Sequence, residues 1–307
     1  MNSKEDLQYR ESTKLVRFAL ASTSSMTASF ITNPIDVTKV RMQLEGELKS
    51  HTPLYNRYYK GFLRGAVRIL LDEGPRGWLK GVTPSLMREF SYGGIRLGAY
   101  EPIKELFGAT DPAHTPLWKK IAAGGTSGMV GSAIANPTDL VKIRMQGTKV
   151  GKRYKTTFHA FAHIFRTEGI RGLWRGVGPT VQRAMILTAS QTSSYDHTKH
   201  TILNLDLMVE GLPLHIVSSI TAGFVCALCT SPFDVIKTRI MNQESAKEGG
   251  GKVYKTMLDC LVKTVRSEGM SGLYKGFFPN WMRLGPHTII CFLIFERLRI
   301  IFNIRPI

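Results

Sequence analysis

Along the chain, long uncharged runs alternate with short polar breaks. Residues 18–35, 121–138 and 212–233 are each free of charge, close to the roughly 17–25 residues a membrane-crossing helix needs. Each run closes on a proline followed two residues later by an acid: Pro34 and Asp36, Pro137 and Asp139, Pro232 and Asp234. Three more apolar stretches are bounded by arginine: one between Arg88 and Arg96, one after Arg183 and one after Arg283. By hydropathy this pattern predicts about three spans and three weaker ones, and leaves room for a soluble, basic helical protein.

Internal repetition decides between them. The stretch "PIDVTKVRMQ" at 34 returns as "PTDLVKIRMQ" at 137 and "PFDVIKTRIM" at 232. It is followed by "DEGPRGWLKG", "TEGIRGLWRG" and "SEGMSGLYKG", then by "PSLMR", "PTVQR" and "PNWMR". "YEPIK", "YDHTK" and "FERLR" close the series, and from the glycine motif onward the copies are offset by 95 and then 100 residues. The chain therefore divides into a polar N-terminal tail (1–12) and three units, 13–107, 115–203 and 211–302. Each unit reads as a long helix carrying the proline, a polar loop, a short amphipathic helix and a second long helix. Before each proline, small residues recur at four-residue spacing (Ala21/Ser25, Gly124/Gly128, Ser219/Gly223), a pattern that lets membrane helices approach closely. The expected fold is an all-α membrane protein with six transmembrane helices in three tandem pseudo-threefold repeats.

Composition adds an electrical constraint. Forty-one Lys and Arg against 23 Asp and Glu give a net charge of +18, which calls for an anionic partner. Nucleic acid would satisfy it, but the bases recur at helix ends and no nucleic-acid-binding motif accompanies them. No P-loop, nucleophile elbow or dinucleotide fingerprint appears, so an enzyme is not expected. Four cysteines do not make a disulfide framework in 307 residues. Cys226 and Cys229 read as a small apolar pair, and His159 and His163 as a solvated helix face rather than a metal site. The N-terminal stretch reads as neither a secretory signal nor a transit peptide.

The thrice-repeated Pro-x-acid-x-x-base-x-base motif with its Glu-Gly partner resembles the mitochondrial carrier family over nearly the whole chain. The resemblance implies a monomeric six-helix barrel, multi-pass in the mitochondrial inner membrane, with three short helices on the matrix side and alternating access to one central site. Acids and bases at equivalent depths can pair around the axis, and the expected matrix gate is Asp36–Lys142, Asp139–Lys237 and Asp234–Lys39. The resemblance makes Gln43 and Gln146 braces beneath two of these pairs; the third copy has Met241 there. At the far ends of the even-numbered long helices it implies a cytoplasmic gate of Glu101/Lys104, Asp196/Lys199 and Glu296/Arg299, with Tyr100, Tyr195 and Phe295 beside them.

Between the gates stand Arg88, Arg183 and Arg283, each four residues past its repeat's proline. Arginine deep in a membrane helix most often faces a watery pathway. With no acid at the matching depth, the three are expected to repel one another unless an anion joins them. Arg88, Tyr92 and Arg96 share one helix face, and guanidinium grips carboxylate, sulfate or phosphate bidentately. The plain alternative for Arg88 is a surface pair with Glu89. Those residues, together with Gln191 and "RLGPHT" at 283, resemble the oxoglutarate and dicarboxylate branch, which implies exchange of dicarboxylates or related inorganic oxyanions. The neighbouring uncoupling branch, a purine-nucleotide-regulated proton leak, ranks second because Ser29 and Gln191 stand where titratable groups would be expected. The resemblance also implies cardiolipin as the bound lipid at Gly81, Gly176 and Gly276, paired with Gly61, Thr156 and Thr256 at the short helices. No metal or other cofactor is expected.

Overall fold

The computed structural model describes residues 3–45, 59, 61–107, 116–147, 154–205, 211–243 and 253–302; within these, some side chains lie outside the description, those of residues 3–15 and of Arg96, Tyr100, Glu101 and Lys104 among them. Each repeat builds the same series of elements. The first holds α1 (Ser3–Leu44), α2 (Phe62–Glu73), α3 (Pro75–Trp78) and α4 (Val82–Leu106). The second holds α5 (Leu117–Gly147), α6 (Thr157–Leu173) and α7 (Val177–Asn204). The third holds α8 (Leu212–Asn242), α9 (Met257–Glu268) and α10 (Phe277–Ile301). Helix α1 already begins at Ser3, so most of the polar N-terminal segment continues the first long helix rather than standing apart as a tail.

The long helices form one closed ring. Within each repeat the two long helices pack together (α1 on α4, α5 on α7, α8 on α10), and between repeats α4 meets α5, α7 meets α8 and α10 returns to α1. The small residues sit at the contacts inside repeats. A methyl group on Gly124 would lie 3.3 Å from Thr188 of α7, and one on Gly223 would lie 3.9 Å from Leu284 of α10. Pro34, Pro137 and Pro232 all fall inside continuous helices, each removing one backbone donor from the ladder.

Only one of the described helices, Pro213–Asn242, is long and apolar enough to cross a membrane by composition, with mean hydropathy 1.6. The others fall short through the glycine, serine and threonine of their uncharged runs as well as through charges.

Glycine is required where each even-numbered long helix starts. Gly81, Gly176 and Gly276 have φ of 71°, 82° and 81°, a left-handed conformation costly for other residues. They also lie against the preceding helix of the next repeat: a methyl on Gly81 would stand 2.8 Å from Gln146 Cγ, one on Gly176 2.7 Å from Met241 Cγ, and one on Gly276 3.1 Å from Gln43 Cγ. These close approaches pull the repeats together at one end of the barrel.

Candidate transport site

At the proline end the three expected ion pairs are formed. Lys142 Nζ donates to Asp36 at 2.8 Å, Lys237 Nζ to Asp139 at 2.7 Å and Lys39 Nζ to Asp234 at 2.8 Å. Each acid reaches a base on a neighbouring repeat because the motif sets acid and base three residues apart on a helix facing the axis. The carboxylates are 4–6% exposed, so the ring is buried rather than a solvated cluster.

The seams of this ring differ. Lys39 also donates to Asn280 Oδ1 at 2.7 Å, whereas the residues matching Asn280 in the other repeats, Ser85 and Thr180, turn back to their own helix carbonyls. Gln43 and Gln146 lie beneath the pairs but do not hydrogen-bond to the paired groups. Gln43 Oε1 accepts from Thr238 at 2.8 Å, and Gln146 Nε2 donates to Asn33 at 3.2 Å. Met241, fully buried under Gly176, supplies packing alone.

The arginines correct the sequence-based expectation. They are not left facing one another: Arg88 Nε lies 2.5 Å from Asp139, Arg183 donates to Asp234 and Arg283 to Asp36. Periodicity places 88 and 139 on separate helices without revealing that a long guanidinium reaches down to the gate. Each gate acid is therefore shared between a lysine and an arginine. Arg88 also pairs with Glu89 at 3.0 Å, and that pair is partly buried, with Arg88 19% and Glu89 11% exposed. The guanidinium of Arg88 lies 5.2 Å from the centre of the Tyr92 ring.

Together the gate residues and the three arginines enclose a polar cavity of ≈ 90 Å³, whose described wall includes neither Tyr92 nor Gln191. Gln191 is exposed on α7. Arg96 lies outside the described side chains.

The opposite end is organised differently. Arg299 bonds Glu296 at 2.5 Å on its own helix, and that carboxylate is 49% exposed. The Tyr195 hydroxyl meets His215 Nδ1 of α8 at 2.6 Å. Asp196, Lys199 and Phe295 are half-buried. Tyr100, Glu101 and Lys104 of the same expected ring lie outside the described side chains. Around Glu296, the pairing that would tie one repeat to the next is replaced by one within a single helix.

A third set of charges escaped the sequence reading. Arg41 grips Glu73 at 2.6 and 2.8 Å, Arg144 grips Glu168 at 2.5 and 3.1 Å, and Arg239 lies 2.8 Å from Glu268. The same arginines donate to backbone carbonyls of the next repeat in turn: Gln146, Met241 and Gln43. Arg175 and Lys275 add a second base to Glu168 and Glu268 at 2.9 and 2.5 Å. Burial pulls the ammonium of Lys80, the matching base of the first repeat, down to about 8, with Glu73 opposing the shift. The signal was present, since the second base of each proline motif and the glutamate of each Glu-Gly motif recur in all three copies. Asn33 and Asn136 complete the joint by donating to Trp78 and Leu173 carbonyls at 2.5 and 3.0 Å.

Three equivalent Arg–Glu joints, three crossed Asp–Lys pairs and a central cation cluster in one ring agree with the sequence comparison: residues 10–111, 113–206 and 210–305 each match the mitochondrial carrier protein family. The chain belongs to the mitochondrial carrier family. It is a transporter rather than an enzyme, and a multi-pass protein of the mitochondrial inner membrane. The carrier is 47% identical to the mitochondrial substrate carrier family protein ucpB of Dictyostelium discoideum, over 95% of this chain and 97% of that protein. It is 40% identical to mitochondrial uncoupling protein 1 of Arabidopsis thaliana, over 91% of each chain. Identity is also 40% to a probable mitochondrial 2-oxoglutarate/malate carrier protein of Dictyostelium discoideum, over 94% of this chain and 91% of that protein.

A larger cavity, ≈ 770 Å³, opens on the outside of the carrier's ring at the proline end, where the start of α7 meets the start of α9; Gly176, Thr256, Arg171, Arg175 and Lys255 line it. The Thr156 and Thr256 hydroxyls cap their own helices, accepting from His159 and Asp259 N–H. The Lys255 N–H and the Lys263 ammonium hold Asp259 below the usual carboxylate range. The α2 start keeps Gly61 at φ 84°. His159 and His163 are ring neighbours on α6, and among the described residues no cluster suits a metal.

Proposed function

We propose that this carrier exchanges small dicarboxylates, or related oxyanions such as sulfate and phosphate, by alternating access, with Arg88, Arg183 and Arg283 receiving the anion. The observation that carries this reading is the sharing of each gate carboxylate between a lysine and an arginine. An anion that enters from the cytoplasmic side and takes Arg183 and Arg283 leaves Asp234 and Asp36 with one base each. Site occupancy and gate strength are then coupled through those carboxylates, which is the differential interaction a ligand needs to shift a conformational equilibrium. Tight bidentate contacts favour carboxylate, sulfate and phosphate over halide. A single chain closes the ring, so the proposed transport unit is the monomer.

The relative named for 2-oxoglutarate and malate supports the dicarboxylate reading, and those named uncoupling proteins keep proton leak as the rival outcome. Purified carrier in liposomes preloaded with malate, oxoglutarate, sulfate or phosphate separates them. At least one internal anion should accelerate uptake of a labelled one; if none does while fatty acid raises proton conductance, the exchange reading fails.

The same proposal includes cardiolipin at the α7–α9 cavity, where the uncapped start of α7 and four bases, Arg166, Arg171, Arg175 and Lys255, suit a phosphate. Added cardiolipin should raise the melting temperature of detergent-solubilised carrier, and replacing Arg171 and Lys255 together by glutamine should reduce that rise. A melting temperature indifferent to the lipid would remove the site.

A further inference from the structure

The charges around the central cavity do not balance, and the imbalance has a definite size. Asp36, Asp139 and Asp234 face three lysines and three arginines. Glu89 is a fourth acid, partly buried beside Arg88 and accepting a hydrogen bond from Ser25 of α1 at 3.4 Å. Among the described side chains, six bases against four acids leave two positive charges in excess. Glu89 has no counterpart in the other repeats, where Ala184 and Leu284 follow the arginine.

The excess is unevenly distributed. Arg88 touches two carboxylates, those of Asp139 and Glu89, whereas Arg183 and Arg283 each share one with a lysine. The unspent capacity for an anion therefore lies on Arg183 and Arg283. His287, one turn beyond Arg283, has a buried Nε2 with no hydrogen-bond partner among the described residues, and lies within the field of Arg283, Glu89, Asp36 and Lys142. That Nε2 offers a polar atom to a ligand.

We infer that Glu89 is a specificity-determining residue that sets the preferred charge of the transported anion at two. The inference rests on the anion-exchange reading. A dicarboxylate places one carboxylate on Arg183 and one on Arg283 and brings the site to neutrality. A third carboxylate has to take Arg88 from Glu89, leaving that acid partly buried, without its base and beside another anion, a costly arrangement. A monocarboxylate leaves one arginine unsatisfied.

The test is competition in proteoliposomes. Exchange of a labelled dicarboxylate is challenged with mono-, di- and tricarboxylates of similar size, at a pH where every acid is fully ionised. For the parent carrier, dicarboxylates should compete about tenfold better than either neighbour in the series. Glu89→Gln keeps an acceptor for Ser25, removes the charge and releases Arg88. It should move the balance between tri- and dicarboxylate by about tenfold towards the tricarboxylate, and Glu89→Asp should return it towards the parent order.

A parent carrier that takes tri- or monocarboxylates as readily as dicarboxylates overturns the inference without any variant. An unchanged charge order in Glu89→Gln does so as well. Absence of any exchange in the parent would instead sink the anion-exchange reading beneath it.

Discussion

Replacing Arg183 by alanine is expected to lower anion exchange on the order of a hundredfold, the scale for losing one partner of a buried, charge-assisted contact. The substitution removes a guanidinium whose other partner, Asp234, keeps Lys39 at 2.8 Å. The gate acid is therefore not stranded, and the protein should melt close to the parent. Arg183→Lys should recover only part of the rate, because an ammonium lacks the planar fork that grips two oxygens at once. Uptake into liposomes and thermal unfolding in detergent, measured on the same preparation, separate a lost site from a lost fold. Parent-like exchange by Arg183→Ala would remove that residue from the site.

Glu168→Gln is expected to have the largest effect on stability. The carboxylate holds Arg144 at 2.5 and 3.1 Å and Arg175 at 2.9 Å, and both Arg144 and Glu168 are 1% exposed. Neutralising it leaves two bases facing an uncharged amide in a buried joint. Breaking a buried pair from one side costs about 3–5 kcal/mol, more than the Asp–Lys ring should lose when one member is softened. The double variant Arg144→Met with Glu168→Leu should recover part of that loss, since the fully buried cation leaves with the acid and only the part-exposed Arg175, which also donates to the Gln243 carbonyl at 3.0 Å, loses its carboxylate. The check is the melting temperature of the three proteins. A single variant that melts like the parent would show that the Met241 and Gln243 carbonyls, at 2.8 and 3.2 Å from Arg144, hold the joint without the acid.

Threefold repetition made much of the molecule legible before any coordinates. Asp36, Asp139 and Asp234 could be matched to the lysine of the correct neighbour because each copy constrains the others. The small residues before each proline likewise marked the contacts inside repeats. What repetition does not give is reach. Nothing in the spacing of 88 and 139 says that a guanidinium spans the gap between them, so three arginines that read as mutually repelling are held by the gate itself.

Repetition also conceals whatever occurs once. Glu89, Asn280 and His287 have no equivalents in the other repeats, so a search for copies passes over them, although they distinguish this carrier's site and gate. The Arg–Glu joints were missed for a different reason. Both members recur, but they lie on separate helices of the same repeat, and only the folded chain shows that Arg41 and Glu73 meet.

The distribution of hydropathy bears on how such a chain enters a bilayer. Among the described helices, Pro213–Asn242 alone is long and apolar enough by composition to cross a membrane, and even it carries Asp234 and Lys237, whose partners lie on other helices. The remaining long helices hold charges such as Lys142 and Arg183, whose neutralising partners lie on another helix. An isolated segment of this kind would place an unpaired ion in lipid. Insertion and assembly are therefore not separable stages for this protein: the lipid accepts most of its helices only as neighbours arrive to neutralise them.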